Sequence, residues 1–223
     1  MTSTDQNQSL FNNHQFSDVS LFLGPSEIPI LAHRMILGVR SPYFATALTG
    51  DFKESVEQTF RFKQYSAHAL WRVFHYMYAN IYTEEAAEAL SAEGKPILKS
   101  RFRHLDWKEL IKGTGDDLEL LKHPRVFAIA DMFQMNDLKT LAREKFEKQL
   151  QQHWISDTFT DCIREVYETT QQTDTAMRRA AVKIASIHIE ELYSQKCFQA
   201  LLREVGDFAA DMVGAISTGG KNY

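Results

Sequence analysis

The chain has 223 residues, 44% hydrophobic and 24% charged, so it can bury one large or two small cores without staples and reads as ordinary globular protein. A formal net charge of -4 supplies no basic face for nucleic acid and no attraction to an acidic membrane. Cys162 and Cys197 each lie among apolar helical residues, with no second cysteine at zinc-knuckle spacing, so both are expected as buried, reduced thiols.

Residues 1–15 are polar and amide-rich and read as a disordered lead, with Leu10 and Phe11 the only apolar pair able to dock. This start lacks the apolar stretch of a signal peptide, and no run approaches membrane-spanning length, which points to the cytoplasm and/or nucleus. Val19, Leu21 and Leu23 then alternate with polar or outward positions, Gly24-Pro25-Ser26-Glu27 supplies a turn, and Ile28, Ile30 and Ala32 alternate again, which predicts a β-hairpin. Met35, Ile36 and Val39 fall at helical spacing. Ser41-Pro42 stops that helix and starts another carrying Phe44, Ala47 and Leu48, which Gly50 closes. Gln58 to Lys63 reads as a third strand with Phe60 and Phe62 on one face. Ser66 caps a helix whose Leu70, Val73, Phe74 and Met77 form one buried stripe, extended by Trp71 and Tyr78.

Regularity breaks between Thr83 and His123. An acidic piece, Glu84 to Leu90, meets a basic piece from Lys95 to Lys112 that interleaves Phe102, His104 and Trp107 but is interrupted by Asp106 and Glu109. The preferred reading is a solvated loop with one short helix over residues 106–112, since loops gather charge for solubility alone. Pro124 opens a helix with Val126, Phe127, Ala130 and Phe133, and Asn136 caps a second with Leu138, Leu141, Ala142 and Phe146, an αα-hairpin. The last third is helical. Asp157 to Glu168 is expected to bury Phe159, Cys162, Ile163, Val166 and Tyr167. Asp174 caps a helix with Met177, Ala181, Ile184 and His188 in line, and Ser194 caps another with Phe198, Leu201, Leu202 and Val205. After Gly206 the stripe continues as Phe208, Ala209, Met212, Val213 and Ile216, and a frayed tail follows.

Catalytic and cofactor motifs are missing from the sequence. There is no Gly-x-Ser-x-Gly elbow and no Gly-x-x-x-x-Gly-Lys phosphate loop, and Gly113-Thr114-Gly115 reads as a hinge. No two histidines stand at i, i+4, and His68 and His75 lie two helical turns apart without a third ligand nearby. The expectation is therefore no enzyme, no cofactor, no metal and no small-molecule substrate.

In their order, several segments resemble the BTB (POZ) family. Asp18-Val19 matches its aspartate before an apolar strand, His33-Arg34 its histidine and basic residue after the second strand, and Ser41-Pro42-Tyr43-Phe44 its Ser-x-x-Phe helix start. Phe52-Lys53-Glu54, Thr59 to Phe62, and Tyr78 to Tyr82 match the next signatures, and Arg125 to Phe146 resembles the closing helices. The resemblance implies an α+β fold, a small mixed β-sheet flanked by helices and followed by an all-α extension. It divides the chain into a lead (1–15), a BTB/POZ domain (16–151) with an insertion (84–123), a helical extension (152–216) and a tail (217–223).

The same resemblance implies a non-enzymatic, self-associating protein-interaction module, with residues 33–48 as the candidate surface. Asp18, His33, Arg34, Met35, Val39 and Tyr43 are its candidate interaction residues: Asp18 and Arg34 either meet in a shallow charged pocket near a homodimer interface or serve merely as a strand cap and a surface charge, while Met35 and Val39 are shared with a partner subunit. Its amino terminus is too polar to supply the strand that dimeric zinc-finger relatives exchange. The family role carried over is that of an adaptor joining a partner to a cullin-type ubiquitin ligase. A free-standing scaffold in transcription or chromatin complexes is the alternative, and weak nucleic-acid binding through Lys99 to Lys112 is a third. A BTB match with a helical tail and no kelch, MATH or zinc-finger domain looks like the fungal BTB proteins of unassigned role.

Overall fold

The computed structural model describes residues 8–83, 118–156 and 158–219. The chain divides into two compact units, one of residues 1–117 and 129–138, the other of residues 118–128 and 139–223. The expectations placed on the basic piece from Lys95 to Lys112, on the Gly113-Thr114-Gly115 hinge and on an Asp157 helix start lie outside the described residues.

In the first unit β1 (Val19–Leu23) is central. It pairs antiparallel with β2 (Ile30–Ala32), Leu21 opposite Ile30, and parallel with β3 (Thr59–Phe62), Leu21 opposite Phe60. Val19, Leu21 and Leu23 are all buried, which fixes the register, because a slip of one residue would carry Ser20 into the core. The hairpin turn contains Gly24 at φ +56°, where an added Cβ would also stand 3.2 Å from the Ala67 Cβ. A parallel pair needs a crossover, and three short helices supply it: α1 (Arg34–Arg40), α2 (Pro42–Thr49) and α3 (Lys53–Glu57). Ser41 joins the first two. Its Oγ accepts from the Phe44 N–H at 3.4 Å and donates to the Phe133 carbonyl at 2.7 Å, with Pro42 at the first helical position. The small mixed sheet flanked by helices expected from the sequence is thus present.

The helix after Ser66, α4 (Ala67–Ala79), is buried on nearly every side, only Tyr76 being partly open, so it is a core helix and not the one-stripe helix the spacing predicts. Its Phe74 joins Phe44, Phe60, Phe62 and Phe133 in a cluster with neighbouring ring centroids 4.8–6.4 Å apart. Arg40 ends α1 by donating to the Met77 carbonyl at 3.0 Å and to the Asn80 side chain, placing a cation at the carboxyl end of α4.

The expected αα-hairpin is formed by α5 (Lys122–Met132) and α6 (Asn136–His153), the first starting two residues before Pro124. Pro124 is tolerated there because first-turn N–H groups have no helical partner. The second unit continues with α7 (Phe159–Thr169), α8 (Ala176–Ile187), α9 (Ile189–Tyr193), α10 (Lys196–Glu204) and α11 (Gly206–Ser217). α7 buries the five residues its spacing predicts. Its carboxyl end is held by Arg178, whose guanidinium donates to the carbonyls of Tyr167 (3.1 Å) and Thr170 (2.7 Å) and lies 4.6 Å over the Tyr167 ring. Arg125 and Glu165 form a two-pronged ion pair at 2.5 and 2.8 Å.

Several local expectations are corrected in this unit. Asp174 does not cap α8 but pairs with Lys139, and Ser194 donates back to the Glu191 carbonyl, leaving α10 to open at Gln195. His188 is half-buried past the end of α8, stacked on Trp154 with centroids 3.7 Å apart. Val213 and Ile216 of α11 are exposed, while Phe208, Met212 and Ala215 form its buried side. Cys162 is buried, donates to the Leu120 carbonyl at 3.3 Å, and has its thiol pKa pushed up by burial. Cys197 is exposed, against expectation, because it sits on the outer side of α10 from Phe198 and Leu201.

Candidate protein-docking site

The candidate surface is built around the start of α1. His33 precedes the helix without capping it, and Asp18 takes that role from the neighbouring strand, its Oδ1 accepting from the Arg34 backbone N–H at 2.8 Å. The Arg34 guanidinium donates instead to the Leu48 carbonyl at 3.2 Å, near the carboxyl end of α2. Asp18 and Arg34 therefore meet through a backbone amide, not as a carboxylate and guanidinium in a shared pocket.

His33 is buried and fully partnered. Its backbone N–H donates to the Tyr78 Oη at 2.9 Å, its Nδ1 lies 3.0 Å from the same oxygen, and its Nε2 lies 2.8 Å from the Gln15 carbonyl. A carbonyl only accepts, so Nε2 carries the ring proton and Nδ1 accepts from the Tyr78 O–H. Burial pushes the Tyr78 phenol pKa up, which keeps that donor protonated. Residues 8–15 consequently do not behave as the free lead read from their polarity. Phe11 is buried against Trp71, His75 and Tyr78, and Asn12 accepts from the Leu31 N–H on β2. One aromatic side chain and two backbone-directed bonds suffice to seat this polar segment.

On this frame α1 turns Met35 and Val39 outward. The buried line is His33, Leu37 and Ser41, at i, i+4 and i+8, while Met35 is 74% and Val39 81% exposed. The Met35, Ile36 and Val39 stripe of the sequence is thus not core, and a two-turn helix is too short for its period to decide which face is inside. Tyr43, half-buried at the start of α2, packs against Phe44 and Phe133 at 5.1 and 5.2 Å, and burial together with the nearby Glu54 charge raises its phenol pKa. A second apolar pair, Phe52 and Val56, is exposed at α3.

Among the described residues no three His, Cys, Asp or Glu side chains are placed to share a metal ion, and no helix is long and apolar enough to cross a membrane. The protein-family model for the BTB/POZ domain matches residues 7–112. The chain carries a BTB/POZ domain. Its BTB domain is a protein-interaction module, and an all-helical extension follows it. Kelch-like protein 2 of Rattus norvegicus is 28% identical over 146 residues, covering 64% of this chain and 23% of that protein. Kelch-like protein 3 of Homo sapiens is 26% identical over 137 residues, 60% of this chain and 22% of that protein. The matched region thus spans less than a quarter of the length of these relatives.

The structure brings five of the six candidate residues to α1 and its immediate approach, with Tyr43 one helix further on. Sequence reasoning missed Tyr78 and Gln15 as the parts that hold His33, while Phe11, read as able to dock, does so against Trp71, His75 and Tyr78. Tyr78 was legible as core, but nothing in a single sequence pairs it with a histidine 45 positions away.

Proposed function

We propose that the chain is a self-associating interaction module that docks through α1 and acts as an adaptor for a cullin-type ubiquitin ligase in the cytoplasm or nucleus. Within this reading the BTB domain closes at Gln151, and residues 152–216 are its helical extension. The observation that carries the proposal is the exposure of Met35 and Val39 on a helix whose ends are fixed by Asp18 and Ser41. Burying each against a second copy is favourable by about 1.5–3 kcal/mol, which exposure in a monomer forgoes. Arg34, exposed and next to Met35 on the same helix, gives the pair a charged neighbour, as polar rims do at protein interfaces. Phe52 and Val56 at α3 offer a separate face for a protein partner.

Pull-down of the full chain with a cullin amino-terminal domain tests the adaptor role. Saturable binding is expected. Its absence at protein concentrations of about tens of micromolar, a free-energy scale of only ~6 kcal/mol, would remove the cullin branch and leave the scaffold reading.

A further inference from the structure

The helical unit contains a cleft of about 420 Å³, apart from the surface proposed for docking. One wall is a face of α6 carrying Arg143 and Glu147, and the other is a face of α8 carrying Arg179, Ala180 and Lys183. Both sets are spaced for one helical face, so the cations converge by register and not by chance contact of loops. The two carboxylates that line the cleft are already engaged: Asp174 lies 2.5 Å from the Lys139 ammonium, and Glu147 lies 3.6 Å from Arg143. Arg179 and Lys183 are exposed and make no ion pair with any described residue.

Two cations four residues apart on a helix repel one another, so folding gains nothing from this pair. The start of α8 adds to the same sign: Thr175 makes no side-chain cap, and no acidic residue stands in the first turn. The space is at the lower end of the ~300–1,000 Å³ typical of small-ligand sites. Arginine forks match the oxygen geometry of a phosphoryl group.

We propose that this cleft binds a small phosphorylated anion through Arg143, Arg179 and Lys183, as a ligand and not as a substrate. The site is independent of the docking reading and stands or falls separately from it. The test is calorimetric titration of the full chain with pyrophosphate and with free inositol trisphosphate, repeated on the R179Q/K183Q variant and on vesicles containing phosphatidylinositol bisphosphate. One saturable site is expected for a free probe, with affinity falling at least tenfold in the variant and weakening as salt rises from about 50 to about 200 mM. The unliganded variant should melt no lower than the wild type, because the substitutions remove a repulsion, so lost binding cannot be ascribed to unfolding. Equal binding by wild type and variant overturns the proposal, as does no binding of either free probe. Binding to the vesicles alone also overturns it, since the cleft would then be part of a membrane-facing surface.

Discussion

Replacing Tyr78 by Phe removes one oxygen atom from the centre of the docking frame and leaves the ring in place. The phenyl group can keep its packing on Phe11, whose centroid lies 5.3 Å away, so no large cavity is created. What is lost is the acceptor of the His33 N–H and the donor to its Nδ1, two bonds of 2.9 and 3.0 Å at a residue only 7% exposed. A buried polar group left without a partner costs about 1–3 kcal/mol, and two of them, offset by no longer burying a hydroxyl, give a net loss of about 2–4 kcal/mol. Urea unfolding at neutral pH measures this as a lower midpoint with an unchanged slope. In a His33→Leu background the Nδ1 requirement is gone, and the same substitution should cost about 1–2 kcal/mol less. A loss under about 0.5 kcal/mol in the His33 background would refute the reasoning, because it would mean that neither His33 atom depends on the phenol.

Other outcomes follow from single features of the fold. Gly24→Ala should destabilise the hairpin by about 1–3 kcal/mol, since it combines a positive φ with a 3.2 Å approach to Ala67, and thermal melting checks it. Burial raises the Cys162 and Tyr78 pKa values, so the folded chain holds the protonated forms; that stability is fully present below the unfolded values of about 8.5 and 10 and drains as pH rises past them. Urea midpoints should therefore fall between neutral and strongly alkaline pH, and Cys162→Ala should flatten the first part of that fall; an unchanged slope would contradict it. Glu165→Gln breaks the two-pronged pair with Arg125 at side chains each 22% exposed, and should cost about 1–2 kcal/mol, between the values for exposed and buried pairs, by urea unfolding.

The sequence made the frame legible wherever periodicity ran long or a breaker carried one meaning. The strand alternation of Val19, Leu21 and Leu23, the Ser41-Pro42 junction and the five-residue stripe of α7 all appear as read. Short helices were less legible, because over seven residues Leu37 and the pair Met35 and Val39 fit the period about equally well, and only the rest of the fold decides between them. Caps failed where a tertiary partner competed, as Lys139 did for Asp174. The candidate site was legible in its residue types but not in its wiring: Asp18 and Arg34 were read either as a charged pair or as a strand cap and a surface charge, whereas the bond between them uses a main-chain N–H that every residue but proline possesses. The basic cleft was hidden because its walls come from helices some thirty residues apart and each wall alone looks like a solvated face.

The proposed docking puts a second copy over the outward face of α1. Sedimentation equilibrium of the full chain and of a Met35→Glu, Val39→Glu double variant tests it most directly. The expected mass is twice 25.7 kDa for the wild type and 25.7 kDa for the variant, with unchanged helical content and melting of the isolated fold. A wild-type chain that sediments as a monomer at concentrations of about 100 μM, or a variant that still sediments at twice the chain mass, would contradict it.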